Sequence, residues 1–232
     1  MGKIIQVKVQ KGGLGKSFIT ATLGHLISLV DKKVLILSTD SQNSVYDMFV
    51  KEKEKVEKGL IDSILNENLN IISLRENLDF IPLELKKKFT NKIIEKIPNF
   101  LNSLKEKYDF ILIDSTPAIE LDEIFVQNAD KIIIPAIGDK LAVNGIVNII
   151  KENRNKIACI VFNKYTNTRV NKAYYREMKE LCDNSDVFMP EPIKCLSYIA
   201  ELVERGETIW EVSSKKVVET QEIFKEILKK VY

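Results

Sequence analysis

The sequence predicts an α/β protein with a doubly wound, mostly parallel sheet and helices on both faces. Apolar runs at residues 4–9, 34–37, 78–82, 110–114, 131–135 and 157–162 have the length of buried strands. Between several of them lie longer segments whose apolar residues recur at helical spacing, and that alternation puts parallel strands in one sheet with crossovers above and below it. A chain of 232 residues suits one domain, residues 1–232, with a substantial core. Hydrophobic residues at 45% and charged residues at 29% are ordinary for a soluble globular chain. No repeat, low-complexity segment or linker divides it.

Thirty-five Lys and Arg against 33 Asp and Glu leave a formal charge of +2. The whole molecule therefore exerts little pull on nucleic acid, and any DNA contact has to come from a local patch. Cys159, Cys182 and Cys195 are odd in number, far apart and in no metal-ligand pattern, which fits reduced thiols and a cytoplasmic location. Strand-like sequence begins at Lys3, so no signal peptide is expected. No apolar run approaches the ~18 residues of a membrane span.

The first strand leads into Gln10-Lys11-Gly12-Gly13-Leu14-Gly15-Lys16-Ser17, and a helical pattern leads out. A strand, a glycine loop and a helix in that order let backbone N–H groups cradle phosphates. Gly12, Gly13 and Gly15 allow close approach to a polyphosphate. Lys16 would reach the β- and γ-phosphates, and the Ser17 hydroxyl would sit on Mg²⁺. The ordinary pattern G-x-x-x-x-G-K-[ST] fails at Gln10, and an additional lysine, Lys11, precedes the glycine pair. A glycine turn with incidental lysines is the plain alternative, and Gly-Lys-Ser opening a helix argues against it.

Ile19, Leu23, Leu26, Ile27 and Val30 give the first helix its buried face; His25, the sole histidine, is assigned no role. The next strand, 34–37, runs into Ser38-Thr39-Asp40-Ser41-Gln42-Asn43. Asp40 could cap a turn or helix, but it stands past the carboxyl end of a strand, where ligands bind in such sheets. The alternating run at 51–55 is a solvated face. Leu60, Ile61, Ile64 and Leu65 suggest a short helix after Gly59. Lys86, Lys87, Lys88, Lys92 and Lys96 form the densest basic cluster, read as a solubilising face ahead of a phosphate-binding one.

Strand 110–114 ends in Asp114, a Walker B pattern whose carboxylate would hold Mg²⁺ through water opposite Ser17. Glu120, Asp122 and Glu123 read as first-turn acids stabilised by a helix dipole rather than as a metal site. Strand 131–135 precedes a helix with Leu141, Val143, Ile146, Ile149 and Ile150 on its apolar face. Strand 157–162 ends at Asn163, and Arg169, Lys172, Arg176 and Lys179 follow on or beside a helix. The last helix, 217–231, carries Val217, Val218, Ile223, Phe224, Ile227, Leu228 and Val231 as a stripe, with Lys225, Lys229 and Lys230 off it.

Lys11-Gly12-Gly13-Leu14-Gly15-Lys16-Ser17 resembles the deviant Walker A motif of the ParA/MinD family of P-loop ATPases. Val9-Gln10 before it fits the ParA side, the Soj-like partition ATPases without an N-terminal DNA-binding domain. The resemblance runs along essentially the whole chain and implies a nucleotide site of Lys11, Gly12, Gly13, Leu14, Gly15, Lys16, Ser17, Phe18, Asn163 and Pro190. It implies catalytic roles for Lys11, Lys16 and Asp40, with Ser17, Asp40 and Asp114 around the metal. Lys11 would cross a dimer interface to the partner's ATP, and Asp40 would help to position the attacking water. Asn163 would read the adenine edge, with a plain turn asparagine as the alternative. Residues 78–82 resemble the family's Asn-Leu-Asp-x-x-Pro strand, residues 187–190 its last short strand, and Ala200 and Gly206 its closing helix and turn. The chain departs from the family pattern at Ser38 and Ser41, which stand for aspartate and proline, and at Ser115-Thr116-Pro117, which stands for Thr-Pro-Pro.

The activity so implied is that of a slow, partner-stimulated Mg²⁺-ATPase that uses ATP and dimerises on binding it. The dimer would bind DNA without sequence preference, lie on the nucleoid and answer to a ParB-like centromere-binding protein in plasmid or chromosome partition. No helix-turn-helix precedes the loop, so operator binding is not expected. The alternative is a MinD-like ATPase that positions a complex at a membrane through its amphipathic last helix. A core-packing helix, and no stable membrane association, is the preferred expectation. An iron–sulfur carrier similar to the nitrogenase iron protein would need cysteines soon after the Walker B strand. A nucleotide-bound scaffold without hydrolysis is kept open by Ser38 and Ser41.

Overall fold

Near-continuous apolar runs become parallel strands because both faces of each strand have to be covered. The computed structural model describes residues 1–8, 12–66, 68–85, 87–116 and 119–232, so the expectations placed on Val9, Gln10, Lys11, Lys86 and Pro117 fall outside it. The side chains of Glu120 and Leu141 also lie outside the described residues. The strands are β1 (Lys3–Val7), β2 (Val34–Ser38), β3 (Ile72–Arg75), β4 (Leu78–Ile81), β5 (Phe110–Asp114), β6 (Lys131–Ala136) and β7 (Ile157–Phe162). They form one sheet in the order β3-β4-β2-β5-β1-β6-β7. Every neighbouring pair is parallel except β3 with β4.

Alternate residues of each strand feed two cores, one on each side of the sheet. Leu35 and Leu37 of β2 and Ile111 and Ile113 of β5 meet one set of helices. These are α3 (Leu60–Asn66), α4 (Asn91–Ile94), α5 (Ile97–Leu104), α6 (Ile119–Asn128), α7 (Lys140–Asn153) and α8 (Arg169–Asn184). Val34, Ile36 and Leu112 meet α1 (Lys16–Ser28), α2 (Ser44–Asp47), α9 (Ser197–Glu204) and α10 (Val218–Val231) on the other side. This is the doubly wound α/β fold expected from the strand and helix alternation.

The final helix packs inward. Ile223, Phe224, Ile227 and Val231 are buried, and the Phe224 ring meets the edge of Phe18 at 5.7 Å. Val218 is 48% exposed, off the stripe, because the helix begins there and buried Val217 takes the inner position. Among the described residues no helix is long and apolar enough to cross a membrane.

Two local features differ from expectation. Strand β3 was not apparent in Ile72-Ser73-Leu74-Arg75, too short and mixed a run to stand out. It forms because Asn77 turns the chain in the left-handed region (φ 57) and lets it pair antiparallel with β4. Residues 187–190 do not form a strand. They reach β7 through one bond, Ile160 N to Phe188 O at 2.9 Å. Pro190 and Pro192 have no N–H with which to extend a ladder.

Candidate functional site

The register of the sheet builds the site. Strand β5 lies between β1 and β2, with Asp114 level with Val7 on one side and Ser38 on the other. The glycine loop and the Asp40 loop therefore leave the sheet on either side of one carboxylate, at the strands' carboxyl ends.

Gly15 occupies the N-cap of α1 with φ 89, a conformation open to glycine and strained for other residues. A Cβ at that position would stand 1.9 Å from Asn163 Nδ2. Gly12 and Gly13 are exposed, while Leu14 is buried beneath the loop. Lys16 Nζ lies 3.0 Å from Asp114 Oδ1, an ion pair lying outside directed hydrogen-bond geometry. Ser17 Oγ donates to Asp114 Oδ2 at 3.0 Å. Phe18 packs against α10, so its side chain serves the core.

Asp114 is fully buried. Burial raises its pKa above the usual carboxylate value even though Lys16 and Ser17 pull it down, and the nearby charge of Asp40 adds to the rise. A cation placed here would favour the ionised carboxylate. The available donors, a serine hydroxyl and carboxylates, are hard oxygen ligands of the kind Mg²⁺ takes alongside phosphate and water. The residues present therefore fit Mg²⁺, with Ser17 and Asp114 as its protein side. No group of three or more His, Cys, Asp or Glu able to hold a metal occurs among the described residues.

Ser38 and Ser41, the two departures from the family pattern, leave the Asp40 loop well tied. The Ser38 hydroxyl donates to Asp40 O at 3.0 Å and accepts from Asp40 N at 3.2 Å. Asp40 Oδ1 accepts from Gln42 N at 3.0 Å, an Asx turn. Asn43, with φ 48, pins the end of the loop through Leu83 N and Leu83 O, both at 2.8 Å. Thr39 Oγ1 accepts from Thr116 N at 2.9 Å, joining this loop to the segment after β5.

Asn163 is buried below the glycine loop and donates from Nδ2 to Leu14 O at 3.0 Å. Beside it, Lys164 Nζ donates to Gly13 O at 2.9 Å. Lys164 went unnoticed in the sequence, since only the left-handed turn at its own backbone aims it at the loop. Pro190 is buried near the end of β7.

Asp122 stands in the first turn of α6, as its spacing predicts, and has a further part to play in the packing. It is buried, accepts from Gln6 Nε2 at 2.5 Å and pairs with Lys8. Gln6 on β1 and Lys8 just past its end required a partner under the sheet, and Asp122 supplies it. Other cations have ordinary places: Lys87 pairs with Asp62, Lys88, Lys92 and Lys96 are exposed, and Arg169, Lys172 and Arg176 are exposed along α8. His25 is buried against Thr208 Oγ1 at 2.7 Å, a satisfied core residue.

Residues 2–164 match the family model described as an AAA domain. Soj of Bacillus subtilis, a sporulation initiation inhibitor protein, is 31% identical over 169 residues, covering 66% of this chain and 66% of its own length. The chain thus spans slightly less than two thirds of that relative. A plasmid partition protein of Borrelia burgdorferi bound to AMPPNP superposes with a TM-score of 0.75 at 24% identity, covering 99% of each chain. The septum site-determining protein MinD of Pyrococcus horikoshii, complexed with Mg-ADP, superposes at 0.74 with 21% identity, over 100% of this chain and 96% of that one. At those identities the two structures bear on the fold alone. From the matched model, the Soj relative and the phosphate loop facing Asp114, the chain belongs to the ParA/MinD family of P-loop ATPases.

Proposed function

We propose that this chain is a Mg²⁺-dependent ATPase of the ParA kind, an ATP-switched dimer that binds DNA without sequence preference in plasmid or chromosome partition. The observation that carries the reading is the meeting of Lys16, Ser17 and Asp114 within 3.0 Å, with the Asp40 loop leaving the adjacent strand. The loop amides would receive the ATP phosphates, Lys16 would neutralise the β- and γ-phosphates, and Ser17 and Asp114 would hold Mg²⁺. Bound Mg²⁺ supplies charge neutralisation on the phosphates. Asp40, fixed by Ser38 and Gln42, orients the attacking water. Lys11 crosses to the partner's nucleotide, and the base lies toward Asn163 and Pro190. A ParB-like protein stimulates turnover.

The buried apolar face of α10 supports a DNA-bound role over a membrane-bound one, since that face is already committed to α1 and β7. A MinD-like positioning ATPase is the second reading, supported by sequence likeness to the septum site-determining protein MinD of Bacillus subtilis, 25% identical over 165 residues. Cosedimentation with random-sequence DNA and with anionic vesicles, each with and without ATP, separates them. ATP-dependent, salt-sensitive pelleting with DNA is the expected result. ATP-dependent pelleting with vesicles alone would overturn the partition reading.

A further inference from the structure

The end of β7 holds the phosphate loop at two successive carbonyls. Asn163 Nδ2 donates to Leu14 O and Lys164 Nζ to Gly13 O, at 3.0 and 2.9 Å. Both neighbours of Lys164 are fixed in place. Asn163 N donates to Ala136 O at 2.7 Å and Tyr165 N to Ile193 O at 2.9 Å, while the Tyr165 ring packs on Phe162 and Tyr175. Lys164 itself takes φ 54, which lysine seldom adopts. The turn therefore accepts a disfavoured backbone, and in that conformation its side chain reaches the loop.

A trans peptide is planar, with its C=O and N–H pointing in opposite directions. The Gly13 carbonyl shares a peptide with the Leu14 N–H, and the Leu14 carbonyl shares one with the Gly15 N–H. Holding both oxygens toward β7 aims both N–H groups the other way. We infer that Asn163 and Lys164 are positioning residues, a clamp that presents the Leu14 and Gly15 amides to phosphate and keeps two carbonyl oxygens from facing it. The clamp rests on the nucleotide-site reading above and gives Asn163 a task other than reading the base.

The test is titration calorimetry of ATP, GTP and inorganic tripolyphosphate, all with Mg²⁺, on the wild type, Asn163→Ala, Lys164→Ala and Lys164→Arg. Each alanine variant should weaken all three ligands by the same factor, about tenfold for one lost hydrogen bond. The ratio of ATP to GTP affinity should stay as in the wild type, and Lys164→Arg should retain most of the binding. Loss of ATP affinity alone in Asn163→Ala would make that residue an adenine reader and overturn the clamp. Unaltered binding of all three ligands by Lys164→Ala, an exposed position whose replacement leaves the fold intact, would overturn it as well. A wild type that binds ATP but not tripolyphosphate would overturn the clamp and leave the nucleotide site standing. A wild type that binds none of the three would overturn the nucleotide site itself, and the clamp with it.

Discussion

Gly15→Ala tests the geometry of the loop most directly, because two separable costs meet at one methyl group. The residue has φ 89, and an alanine held there costs roughly 1–2 kcal/mol. The new Cβ would lie 1.9 Å from Asn163 Nδ2, so the amide must withdraw from Leu14 O. Losing that buried hydrogen bond costs about 1–3 kcal/mol. Together they amount to about 2–5 kcal/mol, which in a chain of this size lowers the melting temperature by roughly 5–15 °C. The double variant Gly15→Ala/Asn163→Ala removes the collision while the same bond stays lost, so it should melt close to Gly15→Ala alone. Scanning calorimetry on the single and double variants, without nucleotide, provides the comparison. A Gly15→Ala protein melting within about 2 °C of the wild type would refute the reasoning, since neither cost could then be present. Full additivity in the double variant would refute the coupling to Asn163.

Asp40→Ala should bind ATP with near wild-type affinity and lose turnover by at least about a hundredfold, the usual scale for a lost proton-handling or water-orienting group. Phosphate release at the wild-type rate would move that role elsewhere. Lys11→Ala should bind ATP as a monomer but fail to dimerise on it; light scattering at saturating ATP and Mg²⁺ checks this, and a clean dimer would sink the cross-subunit role. His25 should impose an acid limit on stability. Burial, its largest influence, lowers its pKa from 6.5 to about 4, so the unfolded chain takes up the proton first as the pH falls. Stability from this group is complete above pH 6.5 and falls by about 3 kcal/mol by pH 4. Urea denaturation across that window should show a shallower slope in His25→Gln, and an unchanged slope would exclude His25 as the cause.

The sheet could be read from the sequence because burial on both faces leaves no room for polar alternation in β2, β5 and β6. The phosphate loop, Asp114 and Asp40 were readable for a related reason: each stands where an apolar run stops. What escaped depended on contacts between distant segments. Gln6 and Lys8 interrupt the otherwise apolar run at residues 4–9, and that irregularity was the available sign that Asp122 would be drawn under the sheet to meet them. Lys164 had no such sign. Its aim depends on φ 54 and on anchors at Ala136 and Ile193, which lie far from it in the chain or bind through the backbone. Ser38 looked like a loss because an aspartate was expected; only its bonds to both the N–H and the carbonyl of Asp40 reveal what a hydroxyl does there.

The two margins of the sheet bear on how copies of this chain can meet. Strand β3 is four residues long, carries a register shift between Ser73 and Arg75, and ends in an arginine tied to Glu211 at 2.7 Å and Gly206 O at 2.9 Å. At the far side, β7 already donates from Ile160 to Phe188. A short, kinked, charged border and a partly occupied one are poor templates for stacking sheets into fibres. Crowded copies of the folded protein should therefore resist edge-to-edge aggregation, and a productive encounter would fall to the end of the molecule where the loops gather.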